Sequence, residues 1–198
     1  PVIRKEDLEL LYEQLDTLKD DDVLVLAGSI PAGMPQSIYR DIMSRLQSKR
    51  IKIAVDATKD LLMNVLAYHP FVIKPNNHEL SEIFDVTIDS KEKAVVYAKE
   101  LQKKGAQNVI VSMAGEGAVF VGSDGSVFTS EAPQGVVKNS VGAGDSMVAG
   151  FLAGYLAKGD YAEAFKMGLC TGSASAFSDQ LATREEVEQV RRSHIFDF

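Results

Sequence analysis

The sequence predicts an α/β protein, a single unit built on a mainly parallel sheet. Three observations lead there. Up to Ser112, short apolar runs alternate with amphipathic segments of helical period. A hairpin signal, Gly122-Ser123-Asp124-Gly125, follows where that alternation stops. Beyond it the chain turns helical, and no linker, repeat or low-complexity tract divides residues 1–198, which therefore read as one domain.

The elements follow in order. Leu8, Leu11, Leu15 and Leu18 recur at spacings of three and four, the stripe of an amphipathic helix that ends at the charged residues 19–22. Val23-Leu24-Val25-Leu26-Ala27 is wholly apolar and predicts a strand covered on both faces. Glycine and proline make Gly28-Ser29-Ile30-Pro31-Ala32-Gly33 a loop, and Pro35 suits the first turn of a helix over 35–47. A strand over 51–55 ends at Asp56; a helix over 60–68 and a strand over 71–73 run into Lys74-Pro75-Asn76. Helices over 78–84 and 90–104 lead through Gly105 to a strand over 108–112. Strands over 118–121 and 126–129 form the hairpin, and helices over 143–157, 161–177 and 184–192 complete the chain.

Composition narrows the function. With 21 Lys+Arg against 28 Asp+Glu, the formal charge is −7, which disfavours a nucleic-acid partner: that role needs a clustered basic face. No apolar run approaches the roughly 20 residues of a membrane span, so no membrane role is expected. The one cysteine, Cys170, fits a reducing cytoplasm and predicts a small buried apolar side chain. His69 and His194 have no metal-ligand spacing, and the charges of 184–192 read as a solvated helix face.

Ligands of open α/β sheets bind at the carboxyl ends of the strands, and the informative loops lie there. In Asn139-Ser140-Val141-Gly142-Ala143-Gly144-Asp145-Ser146, two glycines bracket a small residue where a helix begins, so bare N–H groups and the helix dipole can receive a phosphate. A carboxylate beside such a site is unexpected. Asp145 is either a helix cap or a general base aimed at an attacking hydroxyl.

Val141-Gly142-Ala143-Gly144-Asp145 resembles the second signature of the ribokinase-like (PfkB) carbohydrate kinases. Three further stretches are similar to that family in order and spacing. Lys74-Pro75-Asn76-Asn77-His78-Glu79 resembles its Asn-x-x-Glu motif, and Ser112-Met113-Ala114-Gly115-Glu116-Gly117 its nucleotide-phosphate loop. Gly28-Ser29-Ile30-Pro31-Ala32-Gly33 resembles its Gly-Ser-Leu-Pro-like loop. Within the family, the stretch from Asn139 to Phe151 is most similar to the 1-phosphofructokinases, with tagatose-6-phosphate kinases as close relatives.

The resemblance implies a three-layer α/β/α ribokinase-like fold and ATP-dependent phosphorylation of a sugar phosphate, fructose 1-phosphate to fructose 1,6-bisphosphate. Asp145 would be the base, and Gly142, Ala143 and Gly144 the donors to the transferring phosphoryl group. Ser112, Met113, Ala114, Gly115, Glu116 and Gly117 would hold the ATP phosphates, and Lys74 would offset their charge. Read without the resemblance, the 112–117 stretch is a strand-to-hairpin turn. Asn76 and Glu79 would organise Mg²⁺ through its waters, although the same pair has capping-box spacing. His78 reads as a solvated neighbour. Gly172 and Ser175 would flank the adenine, with close helix packing as the alternative; Asp56 either faces the site through water or stabilises its loop.

The resemblance further implies that a family N-terminal region lies outside these residues. In the family it carries a Gly-Gly signature, most sugar-phosphate contacts and a β-sheet lid through which relatives often dimerise. Pro1 in place of Met then reads as a cut edge, the chain as the C-terminal two-thirds, and an unpaired sheet edge with exposed apolar surface is expected. Residues 193–198 match no part of the family pattern; their two phenylalanines either pack back or form an altered tail. A reading of another class follows: a nucleotide-binding module without kinase activity. A dinucleotide-binding dehydrogenase is disfavoured, since no Gly-x-Gly-x-x-Gly follows an early strand.

Overall fold

A computed structural model describes residues 3–198. Six strands lie in one sheet in sequence order: β1 (Val23–Ala27), β2 (Lys52–Asp56), β3 (Val72–Ile73), β4 (Asn108–Ser112), β5 (Ala118–Val121) and β6 (Val127–Ser130). The first four are parallel; β5 and β6 run antiparallel, joined by the Gly122–Gly125 turn. Gly125 takes φ +88° there, and its N–H donates to the Gly122 carbonyl at 3.1 Å.

Successive strand residues point to opposite faces, and this alternation makes the layers. Ile53, Val55, Ile73, Val109, Val111, Val119 and Val121 face one core. It is closed by α1 (Lys5–Asp16), α2 (Ile38–Leu46), α3 (Lys59–Met63), α4 (Asn77–Phe84) and α5 (Lys91–Lys103). Ala54, Val72, Ile110, Ala118 and Phe120 face the other, against α6 (Ala143–Lys158) and α7 (Tyr161–Phe177). Helix α8 (Arg184–Ser193) packs Val187 and Val190 against Cys170 and Ala174 of α7. The architecture is the expected three-layer α/β/α arrangement.

Most elements match the sequence reading, with instructive differences. The 60–68 helix is split into α3 and a 3₁₀ turn at Leu66–Tyr68, which closes with His69 in the left-handed region at φ 55°. Strand β1 is not covered on both faces. It occupies the sheet edge, pairs only with β2 among the described residues, and leaves Val25 46% exposed, because on that face of β1 Val23 alone packs against the core of α6 and α7. The final phenylalanines pack back: Phe198 stacks on Phe128 with centroids 5.0 Å apart and lies 5.3 Å from Phe165. Cys170 is fully buried, as expected, and burial pushes its thiol up to about 11. No helix among the described residues is long and apolar enough to cross a membrane.

Candidate functional site

Three strand ends and one helix start converge. At the ends of β2 and β3 stand Asp56 and Lys74. The Lys74 side chain is only 7% exposed, and its Nζ lies 3.3 Å from Asp56 Oδ2. Burial raises the Asp56 carboxyl above the usual range; Lys74 opposes the shift and the charge of Asp145 adds to it. The loop after β1 is fastened alongside: Gly28 N–H donates to the Asp56 carbonyl at 3.0 Å, and Tyr39 Oη donates to the Ala27 carbonyl at 2.7 Å.

The start of α6 meets this pair. Gly142 caps the helix at φ +81°, a left-handed conformation that glycine takes without strain. The Ala143 N–H donates to the Ser140 carbonyl at 3.2 Å, and the Ser146 N–H to Gly142 at 2.9 Å. Between them, the N–H groups of Gly144 and Asp145 find no acceptor among the described residues. These two donors, rather than that of Ala143, are the ones open to an anion. A Cβ on Gly144 would sit 3.1 Å from Lys74 Nζ and 3.9 Å from Asp56 Oδ2. Lys74, Asp56, Gly144 and Asp145 therefore form one cluster. The Asp145 side chain is exposed and makes no hydrogen bond or ion pair among the described residues. Its capping role is thus not expressed; the cap is Gly142.

The other two loops adjoin each other. Asn76 and Ser112 form an isolated parallel bridge, and the Ser112 N–H donates to the Pro75 carbonyl at 3.1 Å. Asn76 and Glu79 make a complete capping box on α4: the Glu79 N–H donates to Asn76 Oδ1 at 2.8 Å, and the Asn76 N–H to Glu79 Oε2 at 2.9 Å. Glu79 Oε1 accepts nothing among the described residues, so one carboxylate oxygen is open to a further hydrogen-bond donor. No three His, Cys, Asp or Glu among the described residues group as a metal set.

Within Ser112–Gly117, the residues divide. Met113 is buried and its N–H donates to the Gly117 carbonyl at 2.8 Å, while Ala114, Gly115 and Glu116 form an exposed 3₁₀ turn. Gly117 has φ +92°, and a Cβ there would lie 2.0 Å from the Ser130 carbonyl oxygen, so it serves the hairpin as much as any ligand. Gly172 and Ser175 lie on α7, on the face that meets the first turn of α6. A Cβ on Gly172 would be 3.0 Å from the Ala143 carbonyl; Ser175 Oγ donates to Ser146 Oγ at 2.9 Å and accepts from the Ala182 N–H at 3.1 Å. Their contacts are those of close helix packing, and they brace the α6 start from behind. Asp56, left undecided by the sequence, is the residue that the fold adds to the cluster; its position at the end of a parallel strand was the available signal.

A family model described as pfkB family carbohydrate kinase matches residues 2–186. The chain belongs to this family. A 1-phosphofructokinase of Bacillus subtilis is 43% identical over 190 residues, covering 96% of this chain and 62% of that protein. A D-tagatose-1-phosphate kinase of Bacillus licheniformis is 28% identical with the same coverage. The chain thus spans about 62% of the length of these curated relatives. Phosphofructokinase-2 of Escherichia coli, solved with substrates and products, superposes with a TM-score of 0.89 at 26% identity, covering 96% of this chain and 63% of that one. Arabidopsis thaliana ribokinase, solved with ribose and ATP, gives 0.73 at 16% identity, covering 96% and 60%, and shows the shared ribokinase-like fold. The four stretches singled out in the sequence fall within the matched residues.

Proposed function

We propose that this chain carries the phosphoryl-transfer centre of an ATP-dependent sugar-phosphate kinase, with Asp145 as general base. One observation supports this above the rest: an unengaged carboxylate, Asp145, stands in the same helical turn as two free N–H groups, one of them on Gly144, which lies against the ammonium of Lys74. Donors and acceptor side by side suit a reaction that moves a proton off a hydroxyl while charge builds on phosphoryl oxygens.

In the proposed reaction a sugar-phosphate hydroxyl gives its proton to an Asp145 carboxylate oxygen. Its oxygen then bonds to the γ-phosphorus of ATP, and the bond to the β–γ bridging oxygen breaks, leaving ADP. The Gly144 and Asp145 N–H groups and Lys74 receive the charge on the transferred group; one such donor is worth about 3–4 kcal/mol of transition-state stabilisation. The exposed 114–116 turn would face the ATP phosphates. Mg²⁺, when bound with the nucleotide, would neutralise phosphate charge, and Glu79 Oε1 with Asn76 would hold its waters.

The sugar is proposed from the relatives. Fructose 1-phosphate comes first, from the 43% identical 1-phosphofructokinase; the tagatose relatives point to tagatose 1-phosphate, a ketose 1-phosphate like the first, rather than to the 6-phosphate. The test is ADP release coupled to an indicator, with ATP and Mg²⁺ and either sugar phosphate or none. Sugar-dependent release supports the kinase reading. ATP binding with no sugar-dependent release supports the nucleotide-binding module instead.

A further inference from the structure

We propose that Asp56 is a positioning residue: it is the resident counter-ion of Lys74, and an incoming phosphate displaces it. This rests on the anion site described above and assigns a part that neither the family match nor the relatives supply.

The argument starts from burial. A lysine side chain that is 93% covered has little water around it and needs a counter-charge. Asp56, itself 19% exposed, provides the one carboxylate within ion-pair distance among the described residues. Yet the pair is loose. Lys74 Nζ reaches one Asp56 carboxylate oxygen, at 3.3 Å, and no other side chain or carbonyl accepts from it among the described residues. One of its three protons at most is engaged by Asp56, and it lies against Gly144, whose free N–H opens the anion site. A polyphosphate arriving there offers several negative oxygens and completes a bond set that Asp56 leaves open. The carboxylate therefore holds Lys74 in place through a single contact.

The decisive test is a double-mutant cycle read by binding of inorganic tripolyphosphate to the 198-residue chain, by calorimetry in EDTA at fixed low salt. Asp56→Asn should tighten binding about tenfold, because the anion no longer competes for Lys74. In a Lys74→Met background the same change should do much less, so that the two gains differ at least about fivefold. Equal gains in both backgrounds would make Asp56 a simple source of repulsion and overturn the proposal while leaving the anion site standing. Absence of tripolyphosphate binding in the unaltered chain would overturn the site itself, and this proposal with it. A measurement on the unaltered chain guards against variants that do not fold. On tripolyphosphate addition, the ¹³C resonance of the Asp56 carboxyl and the ¹⁵N resonance of the Lys74 ammonium should shift together. A Lys74 shift without an Asp56 shift contradicts displacement.

Discussion

The backbone of Gly144 lies against the ammonium of Lys74: a methyl group on the former would stand 3.1 Å from Nζ of the latter. This contact joins the end of β3 to the start of α6 and brings a cation to two unengaged N–H donors. Gly144→Ala should displace Lys74 while improving helix propensity. The expected outcome is an unchanged or higher Tm with tripolyphosphate affinity lowered about tenfold. A Tm loss that accounts for the weaker binding would argue against this contact as the cause.

Gly115 and Gly117 share a loop but not a role. Gly117 has φ +92° and its missing Cβ would lie 2.0 Å from the Ser130 carbonyl, whereas Gly115 faces open space. Urea denaturation should show Gly117→Ala destabilised by about 3 kcal/mol or more, and Gly115→Ala altered by less than about 0.5 kcal/mol.

Asn76 and Glu79 carry two separable duties. Asn76→Ala removes the cap acceptor of α4 and should cost about 1 kcal/mol with or without Mg²⁺. Glu79→Gln keeps an oxygen for the Asn76 N–H but loses the charge. Chemical denaturation should find it near the parent in stability, and titration of Mg²⁺ in the ADP-release assay should find a raised requirement.

Glu163 ties α6, α7 and α8 together, with Lys158 Nζ at 2.7 Å and Arg191 at 3.0 Å. Its carboxyl is held below the usual range, chiefly by the Lys158 hydrogen bond, with Arg191 and Lys166 adding to it. A lowered native pKa means stabilisation that is present above the ordinary glutamate value of 4.5 and lost as pH falls through the lowered one. Glu163→Gln should cost about 1 kcal/mol at pH 7, where the side chain is 24% exposed, and the gap to the parent should close in acid denaturation curves.

Much of this was legible from local chemistry. Strand and helix positions follow from periodicity, and α7 and β4 have the expected limits because turn and capping residues flank them. The loops were recognisable because glycine and proline mark the strand ends where an α/β sheet gathers ligands. What was not legible depends on contacts between distant residues. Nothing local says that Lys74 and Asp56 pair, or that Ser175 is engaged by Ser146 and Ala182. Likewise Val23-Leu24-Val25-Leu26-Ala27 reads as a strand buried on both faces, because an apolar run states what a strand tolerates, not which neighbours cover it.

Asp145 decides the functional reading. Its carboxylate is exposed, unpaired among the described residues and set beside two free N–H groups. The measurement is sugar-phosphate-dependent ADP release by Asp145→Asn against the parent, with ATP affinity measured in parallel. A general base here predicts a fall in turnover of about 10²–10⁴-fold with ATP affinity nearly unchanged. Turnover undiminished in Asp145→Asn would contradict it.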